Sequence, residues 1–362
     1  MKPASSLCNL RCGYCFYHES AKNRAVESYG IMPEDSVRAV LQRLGASLAA
    51  GDELSLCFQG GEPMLAGLAW FQRFFALVRE LLPGVRFQAA IQTNGTLLTE
   101  EWCRFLKKER ILTGVSLDLL PEIHDYVRKD ALGRGTYQTV TKGIRLLEKY
   151  RADYNVLCTL TNILARHPDK VYQVLQQLDI SYIQFTPCLD SGISEKDPYA
   201  LTPERFASFY LGLMPLWLRE LQDGRYRSIK LFDDIVRLLA FGEVNACGLT
   251  GNCGPQLVME ADGSAYPCDF YCTDAYRIGN FMTDPLESLL ERSFHSPQKE
   301  KPPLPKRCQD CPHRPLCNGG CKRMQKQLCF TGDKQPCGYR RFLDETLPTF
   351  LFLAREERNV RG

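Results

Sequence analysis

The chain has 362 residues, of which 44% are hydrophobic and 24% charged, an ordinary balance for a soluble globular protein of one large or two smaller domains. Its formal net charge of +3 is too small to indicate nucleic acid or an anionic membrane as a partner. The longest apolar run, FASFYLGLMPLWL, is too short to span a bilayer, and no export signal opens the chain, so we expect a cytoplasmic protein with no membrane partner.

Strand-like and helix-like segments alternate through the first two thirds of the chain. The predicted strands are a short one before Cys8, then LSLCFQ, RFQAAIQ, ILTGVSLD, NVLCTLT and SYIQFTP. The predicted helices lie between them, at about 68–82, TEEWCRFLKKE, YQTVTKGIRLLEKY, DKVYQVLQQL, and from Thr202 onward. Such alternation is typical of a parallel sheet covered by helices. Six strand–helix units are too few for a closed eightfold barrel, so we predict an α/β fold, a partial (β/α)6 barrel, with its chemistry at the C-terminal strand ends.

Cysteine is unusually frequent, with 17 in the chain. A chain of this length, with an odd cysteine count and no export signal, fits reduced, metal-binding thiols better than a disulfide framework. After about Phe241 the strand–helix alternation stops, and ten of the 17 cysteines lie between Cys247 and Cys337. We therefore expect a separate cysteine-rich domain at the C-terminal end.

The string SLCNLRCGYC places three cysteines at the spacing C-x3-C-x2-C, namely Cys8, Cys12 and Cys15. Three thiolates fit a [4Fe–4S] cube held at three corners, with one iron open to a small molecule. A closed zinc site is the alternative, but it would need a fourth ligand, for which His18 is the nearest candidate.

The C-terminal cysteines supply eight further candidate ligands, enough for two fully ligated clusters. They are Cys247, Cys253, Cys268, Cys308, Cys311, Cys317, Cys321 and Cys337. Because C-x2-C also suits zinc, a zinc-ribbon-like structural module is the alternative.

Several strings, in order along the whole chain, resemble one known family. CNLRCGYCFY, followed by GGEP at residues 60–63, resembles the radical S-adenosylmethionine (SAM) superfamily, and C-x2-C-x5-C-x3-C resembles its SPASM extension. Together with KPASSL, QTNGTL, EIHDYVRKD, DGSAYPCDFY and CNGGCKR, these strings closely resemble the anaerobic sulfatase-maturating enzymes.

The resemblance implies a radical SAM core domain at 1–235 and a SPASM domain at 236–362. It implies SAM and three [4Fe–4S] clusters as cofactors, and oxidation of a cysteine or serine in a sulfatase polypeptide to Cα-formylglycine. It also implies an electron donor such as a flavodoxin or ferredoxin.

The family pattern also implies roles for individual residues. The N-terminal cluster takes Cys8, Cys12 and Cys15; one auxiliary cluster takes Cys247, Cys253, Cys268 and Cys321; the other takes Cys308, Cys311, Cys317 and Cys337. The SAM pocket takes Tyr17, Gly60, Gly61, Glu62, Ser116, Arg128 and Leu189, and the catalytic residues are Asp269, Gln59 and Tyr17. The glycines let the backbone approach a ligand, so we expect Gly60→Val to weaken SAM binding while the clusters stay intact.

One departure from the family pattern concerns the loop after the strand ILTGVSLD. Leu119 and Leu120 stand where the family usually has Gly-Pro. Leucine rarely adopts positive φ, so we expect a reshaped loop there, ordered in part by His124.

The remaining cysteines have less specific interpretations. Four in strand or helix patterns are predicted to be small core residues: Cys57, Cys103, Cys158 and Cys188. Cys272 and Cys329 fall outside the ligand pattern and are predicted to be spare thiols.

Two alternative functions stay open at this point. Another SPASM peptide maturase, such as one that forms thioethers, would share these motifs. A non-catalytic zinc or iron–sulfur interaction protein would not need GGEP beside an incompletely ligated cluster.

Overall fold

A computed structural model describes residues 1–190, 197–244, 246–254, 256–300, 303–329 and 337–361. The chain forms two compact units that interleave along the sequence. The first comprises Met1–Ser116, Val127–Tyr154 and Pro255–Glu300, and the second comprises Leu117–Tyr126, Asn155–Gly254 and Lys301–Gly362. Within the described residues, no helix is both long enough and apolar enough to cross a membrane.

The predicted α/β architecture is confirmed. Six strands follow one another in sheet order: β1 Glu53–Phe58, β2 Arg86–Thr93, β3 Leu112–Ser116, β4 Tyr154–Leu160, β5 Tyr182–Pro187 and β6 Ser228–Ile229. The pairs β1–β2, β2–β3, β4–β5 and β5–β6 are parallel. A second, antiparallel sheet is formed by β7 Val258–Met259, β8 Ser264–Tyr266 and β9 Gly279–Asn280.

Helices separate these strands and continue to the end of the described chain. They are α1 Phe16–Lys22, α2 Glu34–Ser47, α3 Leu68–Leu81, α4 Glu100–Lys108, α5 Pro121–Val127, α6 Tyr137–Lys149, α7 Pro168–Gln177, α8 Pro203–Gln222, α9 Lys230–Phe241, α10 Leu286–Phe294, α11 Lys306–Gln309, α12 Arg314–Cys317, α13 Gln325–Leu328 and α14 Gly338–Arg361. The helices expected after the predicted strands correspond to α3, α4, α6, α7 and α8.

The main sheet has six strands, as predicted, but one of the six differs. The strand predicted before Cys8 is absent, and β6 was not predicted. The segment before Cys8 forms turns instead of a strand. Its first residue nevertheless continues the hydrogen bonding of β1, since Met1 N donates to Cys57 O at 2.9 Å and Gln59 N donates to Met1 O at 3.0 Å. The sixth strand is β6, which has two residues and is therefore too short for a sequence pattern to mark.

Aromatic packing holds β1 in the first unit. Phe58, at the end of β1, is fully buried and lies edge-on to Phe71 and Phe74 of α3, with ring centroids 4.9 and 5.2 Å apart. Phe71, Phe74 and Phe75 recur at helical spacing, so a single face of α3 meets the strand. This packing fixes the C-terminal end of β1, from which GGEP begins.

The core of the second unit is a cluster of rings from three helices. Phe232 of α9 stacks on Phe342 of α14, and Tyr210 of α8 approaches Phe342 at 5.7 Å between ring centroids. Helix α14 has 24 residues and was not predicted from the sequence. Its packing on α8 and α9 holds the start of the helix, which lies beside the C-terminal cysteines.

The loop that contains Leu119 adopts the conformation that glycine would allow. Leu119 has φ +54° and is fully buried, as is nearly all of Leu120. A left-handed non-glycine residue costs about 1–2 kcal/mol, and burying a leucine contributes about 1.5–3 kcal/mol. As expected, His124 orders this loop, because its Nδ1 accepts a hydrogen bond from Asp118 N at 3.2 Å.

None of the 17 cysteines is assigned to a disulfide bond. Cys103, Cys158 and Cys188 are buried, as predicted for core residues. Cys57 is exposed on β1, so its assignment to the core was wrong. The period of a strand puts alternate residues on opposite faces, and Cys57 precedes the buried Phe58.

Candidate active site

The three N-terminal cysteines lie on one irregular loop that leads into α1. Their thiols are half-buried. The backbone N–H of Leu10 points to Cys8 Sγ at 3.4 Å, and Asn94 Nδ2 lies 3.9 Å from the same sulfur. Burial raises the pKa of Cys8, so its thiol keeps its proton until a metal displaces it. Amide donors directed at a sulfur are an arrangement that tunes iron–sulfur clusters.

Backbone pairing fixes this loop at both sides. Arg11 N donates to Lys129 O at 2.7 Å, and Gly13 N donates to Val127 O at 2.9 Å. The guanidinium of Arg128, which is 7% exposed, lies 5.4 Å from the ring centre of Tyr14. The cysteines are therefore presented by a rigid segment.

The arrangement of donors fits a cluster better than a single zinc ion. His18, the candidate fourth zinc ligand, is exposed. In the described part of the chain, no three His, Cys, Asp or Glu residues converge as ligands of one metal ion would. A cube with three thiolates on three separate irons does not require such convergence, so the three cysteines fit a [4Fe–4S] cluster.

Glu62 of GGEP joins the ends of two strands. It is completely buried, and its carboxylate accepts hydrogen bonds from Asn94 N at 2.7 Å and from the Thr93 hydroxyl at 2.8 Å. It also accepts from Met64 N at 3.0 Å. Burial raises the pKa of Glu62 to about 7, although these hydrogen bonds oppose the shift. The side chain thus ties the loop after β1 to the loop after β2.

The two glycines of GGEP pack against the segment that precedes Cys8. Gly61 N donates to Ser5 O at 3.0 Å, and Glu62 N donates to Leu7 O at 2.7 Å. A Cβ on Gly61 would lie 2.1 Å from Leu7 O, which is an impossible contact. Only glycine allows this approach, so GGEP directly supports the cysteine loop.

Gly60 also lies very close to the segment that precedes Cys8. The structure therefore predicts a different effect of Gly60→Val than the sequence did. Gly60 has φ +123°, and a Cβ would lie 2.8 Å from Ser5 O and 3.0 Å from Lys2 Cγ. Gly60→Val would therefore displace the N-terminal segment itself. It would not separate SAM binding from cluster binding, contrary to the expectation from the sequence.

Ser116 and Leu189, predicted for the SAM pocket, and Gln59, predicted as a catalytic residue, lie at or just beyond strand ends. Ser116 ends β3 and accepts a hydrogen bond from Gln92 Nε2 at 3.0 Å. Gln59 follows β1 and is half-buried. Leu189 is half-buried, follows β5, and belongs to the second unit. Their contacts with SAM stay predictions.

Asp269 and Tyr17, predicted as catalytic residues, are brought together in the first unit. The Tyr17 hydroxyl donates a hydrogen bond to Asp269 Oδ2. Desolvation and the Asp269 carboxylate raise the pKa of Tyr17 well above its ordinary value, so the phenol stays a donor. Asp269 directly follows Cys268 and begins a 3₁₀ turn, Asp269–Tyr271.

Sequence reasoning missed three buried charged residues beside this pair. Lys2 Nζ lies 3.4 Å from both Asp269 Oδ1 and Glu260 Oε1, and Arg24 Nη1 lies 2.9 Å from Glu260 Oε1. The string KPASSL includes Lys2, but nothing in it indicates that the lysine is buried. Lys2, Arg24 and Glu260 come from distant parts of the chain, which no local pattern connects.

One predicted auxiliary-cluster set lines a single cavity in the second unit. The cavity has a volume of about 480 Å³, and its lining includes Cys308, Cys311, Cys317 and Cys337. Four thiols around one space match the ligand set of a closed cluster. These residues therefore fit the group that the resemblance implies.

Cys329, predicted to be a spare thiol, lies at the same cavity. It is buried, and its thiol donates a hydrogen bond that lowers the pKa of Cys337 to about 6. Cys272, the other predicted spare, is buried beside Val258 and Tyr266 in the core of the first unit. Cys272 also adjoins a predicted ligand, because its thiol donates a hydrogen bond to Cys268 O at 3.6 Å.

The other predicted set divides between the units. Cys268 lies in the first unit, whereas Cys247, Cys253 and Cys321 lie in the second. Within the second unit, a Cβ on Gly248 would lie 2.6 Å from Cys321 Cβ, so the glycine lets the Cys247 loop approach Cys321 closely. The complete set of four stays a prediction from the resemblance.

Family models match both parts of this description. Residues 3–175 match the Radical SAM superfamily, and residues 251–312 match SPASM, an iron–sulfur cluster-binding domain. The parallel α/β sheet and the three-cysteine loop thus belong to a radical SAM enzyme.

Similar proteins identify the family within that class. The chain is 39% identical over 327 residues to the cysteine-type anaerobic sulfatase-maturating enzyme of Clostridium perfringens strain 13, covering 89% of this chain and 88% of that one. It is 31% identical to the serine-type enzyme of Klebsiella aerogenes, covering 100% and 88%. The solved structure of native anSMEcpe with bound AdoMet and Cp18Cys peptide has a TM-score of 0.88 at 34% identity, covering 98% of each chain. The chain belongs to the anaerobic sulfatase-maturating enzymes.

The first prediction concerns the cluster at the N-terminal loop. Eleven assigned cysteines imply about 12 irons per chain after anaerobic reconstitution. Joint replacement of Cys8, Cys12 and Cys15 by alanine should remove about four irons and leave the others. Iron and sulfide analysis measures this, and unchanged iron in the triple variant would contradict the assignment.

The second prediction concerns the contact beneath that loop. Gly61→Ala should lower iron by up to about four per chain and weaken SAM binding together, because its Cβ displaces the segment leading to Cys8. Gly133→Ala is the control: Gly133 has positive φ, +78°, which Gly61 does not, but no neighbouring atom lies within 4 Å of the position that its Cβ would take, so the change strains the backbone without displacing another segment. Full iron and normal SAM affinity in Gly61→Ala would show that the close approach is unimportant.

The third prediction separates Cys329 from the ligands around it. Cys317→Ser should lose up to about four irons, whereas Cys329→Ser should keep about 12. Both changes replace a cavity-lining thiol by a hydroxyl, so the pair controls for size. If only Cys329→Ser lost iron, Cys329 would be the cluster ligand and Cys317 would not.

Proposed function

We propose that this chain oxidises a cysteine or serine in a sulfatase polypeptide to Cα-formylglycine in the cytoplasm, with an electron donor such as a flavodoxin or ferredoxin. Relatives named for cysteine-type and serine-type sulfatase maturation support the reaction, and anSMEcpe with a bound peptide supports a polypeptide substrate. The observation that carries the proposal is the state of Asp269. Its Oδ2 is occupied by Tyr17, while its buried Oδ1 has no hydrogen-bond partner in the described residues.

The cofactors fit the cysteines described above. When bound, SAM and the three [4Fe–4S] clusters would supply the radical that removes a Cβ hydrogen and the acceptor for the second electron. Cys8, Cys12 and Cys15 would hold the cluster that meets SAM, and the C-terminal sets would hold the other two. We retain 1–235 and 236–362 as the proposed core and SPASM domains.

In this proposal the chain's own residues accept the substrate proton and bind SAM. Asp269 Oδ1 takes the proton that the substrate thiol or hydroxyl loses as its carbon is oxidised. Tyr17 keeps Oδ2 occupied, and Oδ1 is the oxygen that has no hydrogen bond in the described residues. Gln59 lies near substrate and SAM, and Gly60, Gly61, Glu62, Ser116, Arg128 and Leu189 form the SAM pocket.

The fourth prediction tests Asp269 as the base. Asp269→Asn keeps the size but removes the carboxylate, and positioned proton transfer typically contributes about 10²–10⁴-fold. We expect 5′-deoxyadenosine to form still, while formylglycine forms more slowly by about that factor. Both products are measured by mass in one anaerobic reaction with SAM, reductant and a sulfatase-motif peptide.

The control is Asp274→Asn, which makes the same change in the following 3₁₀ turn. Asp274 Oδ2 accepts a hydrogen bond from Ala25 N at 2.7 Å, which an asparagine oxygen can also accept. Normal formylglycine yield in Asp269→Asn would exclude Asp269 as the base. Joint loss of both products and of iron would assign it a structural role that supports Cys268.

A further inference from the structure

Lys2 is a buried cation beside the proposed base. Its side chain is 2% exposed, and its Nζ lies 3.4 Å from a carboxylate oxygen of both Asp269 and Glu260. Burial opposes the charge of Lys2, but the two carboxylates raise its pKa, so the ammonium stays protonated. An ammonium this deeply buried needs a charged partner.

Glu260 already has a sufficient set of partners without Lys2. Arg24 Nη1 lies 2.9 Å from Glu260 Oε1, and the Ser5 hydroxyl donates to Glu260 Oε2 at 2.8 Å. Two cations and two carboxylates form this cluster. Since Arg24 balances Glu260, the side-chain charge that remains to balance Asp269 is that of Lys2; the Met1 amine, whose pKa burial lowers, also interacts with Asp269.

Lys2 contacts both members of the Tyr17–Asp269 pair. Its Nζ lies 5.1 Å from the centre of the Tyr17 ring, within the range of a cation–π interaction. Its distance to Asp269 Oδ1 exceeds the 2.7–3.2 Å typical of an N–H···O hydrogen bond, so it attracts Oδ1 without occupying it. Lys2 N also donates to Met259 O at 2.8 Å, which anchors the residue next to Glu260.

We propose that Lys2 is a positioning residue that fixes the Asp269 carboxylate, with Oδ2 hydrogen-bonded to Tyr17 and Oδ1 left as the buried acceptor for the substrate proton. The inference rests on the proposed function. The step it serves is a proton transfer alone: the substrate S–H or O–H bond breaks, and an O–H bond forms at Asp269 Oδ1. The competing explanation is that Lys2 only balances the buried charge of Glu260.

The fifth prediction uses Lys2→Met and Lys2→Arg in the reconstituted enzyme with a sulfatase-motif peptide. Lys2→Met should keep full iron and 5′-deoxyadenosine formation but make formylglycine about 10–100-fold more slowly, as for other residues that orient a functional group. The loss should appear in kcat and not in KM for the peptide. Lys2→Arg keeps a cation and should recover most of the rate.

A crystal structure of the Lys2→Met enzyme gives a readout independent of activity. We expect the Asp269 carboxylate to move by about 1 Å or more, a displacement large enough to slow a reaction strongly. The control is Lys230→Met, which removes an ammonium paired with the buried Asp234 in the second unit. That variant should make formylglycine at the wild-type rate.

A double variant, Lys2→Met with Glu260→Gln, distinguishes positioning from charge balance. It leaves Arg24 and Asp269 as one cation and one carboxylate, so the cluster stays neutral. Slow formylglycine formation with full iron supports positioning. A wild-type rate in either the double variant or Lys2→Met overturns it, as does a double variant that fails to retain iron, because Lys2 then belongs to the scaffold.

These measurements distinguish a failure of the proposed reaction from a failure of the proposed role of Lys2. A wild-type enzyme that cleaves SAM but never oxidises the peptide would contradict the proposed function. A wild-type enzyme that makes formylglycine, with Lys2→Met equally fast and Asp269 unmoved, would overturn only the role of Lys2.

Discussion

The close contact between GGEP and the segment before Cys8 is the constraint on which the rest of the first unit depends. Gly61 allows an approach to Leu7 that no side chain would tolerate, and Glu62 fastens the same turn to the end of β2. No cation of the described residues pairs with this buried carboxylate, which is costly unless its oxygens are satisfied by hydrogen bonds. Backbone and hydroxyl donors provide them. The cysteine loop is therefore held by strand ends whose own positions are fixed by aromatic packing on α3.

This architecture explains how one short N-terminal segment can serve two kinds of chemistry. Residues 2–17 contain the three thiols predicted to bind the N-terminal cluster, and also Lys2 and Tyr17, which contact Asp269. A thiol ligand needs a sulfur that can lose its proton to a metal, whereas the base needs a carboxylate held still. A rigid loop meets both needs, because the same backbone hydrogen bonds fix the cysteines and the residues on either side of them. Displacement of residues 2–17 would consequently disturb both the predicted cluster site and the contacts with Asp269.

Sequence patterns predicted the repeating parts of this protein well, for physical reasons. In the strands β1 to β5 and in helices such as α3, apolar residues recur with the period of a strand or of a helix. The cysteine spacing reflects the geometry of a cluster. Other features depend on contacts that the sequence does not display. The two-residue β6 has no period, and Leu119 takes positive φ because burial offsets the strain. Cys57 is exposed on a strand whose pattern predicts burial, on the face opposite to Phe58. Lys2 looks like a surface lysine until Glu260 and Asp269 are placed beside it.

The buried charges near Asp269 also show why a neutral cluster matters for a base. Each carboxylate of the group has a cation within 3.4 Å, and each cation lies on a backbone segment that is itself hydrogen-bonded. Removing one member leaves an uncompensated charge in a poorly solvated place, whose cost exceeds the net value of the pair. The arrangement therefore resists small rearrangements, which keeps Asp269 Oδ1 in one place. As the proposed base, Asp269 would need such support, because the substrate would change geometry at carbon while the proton must still reach the carboxylate.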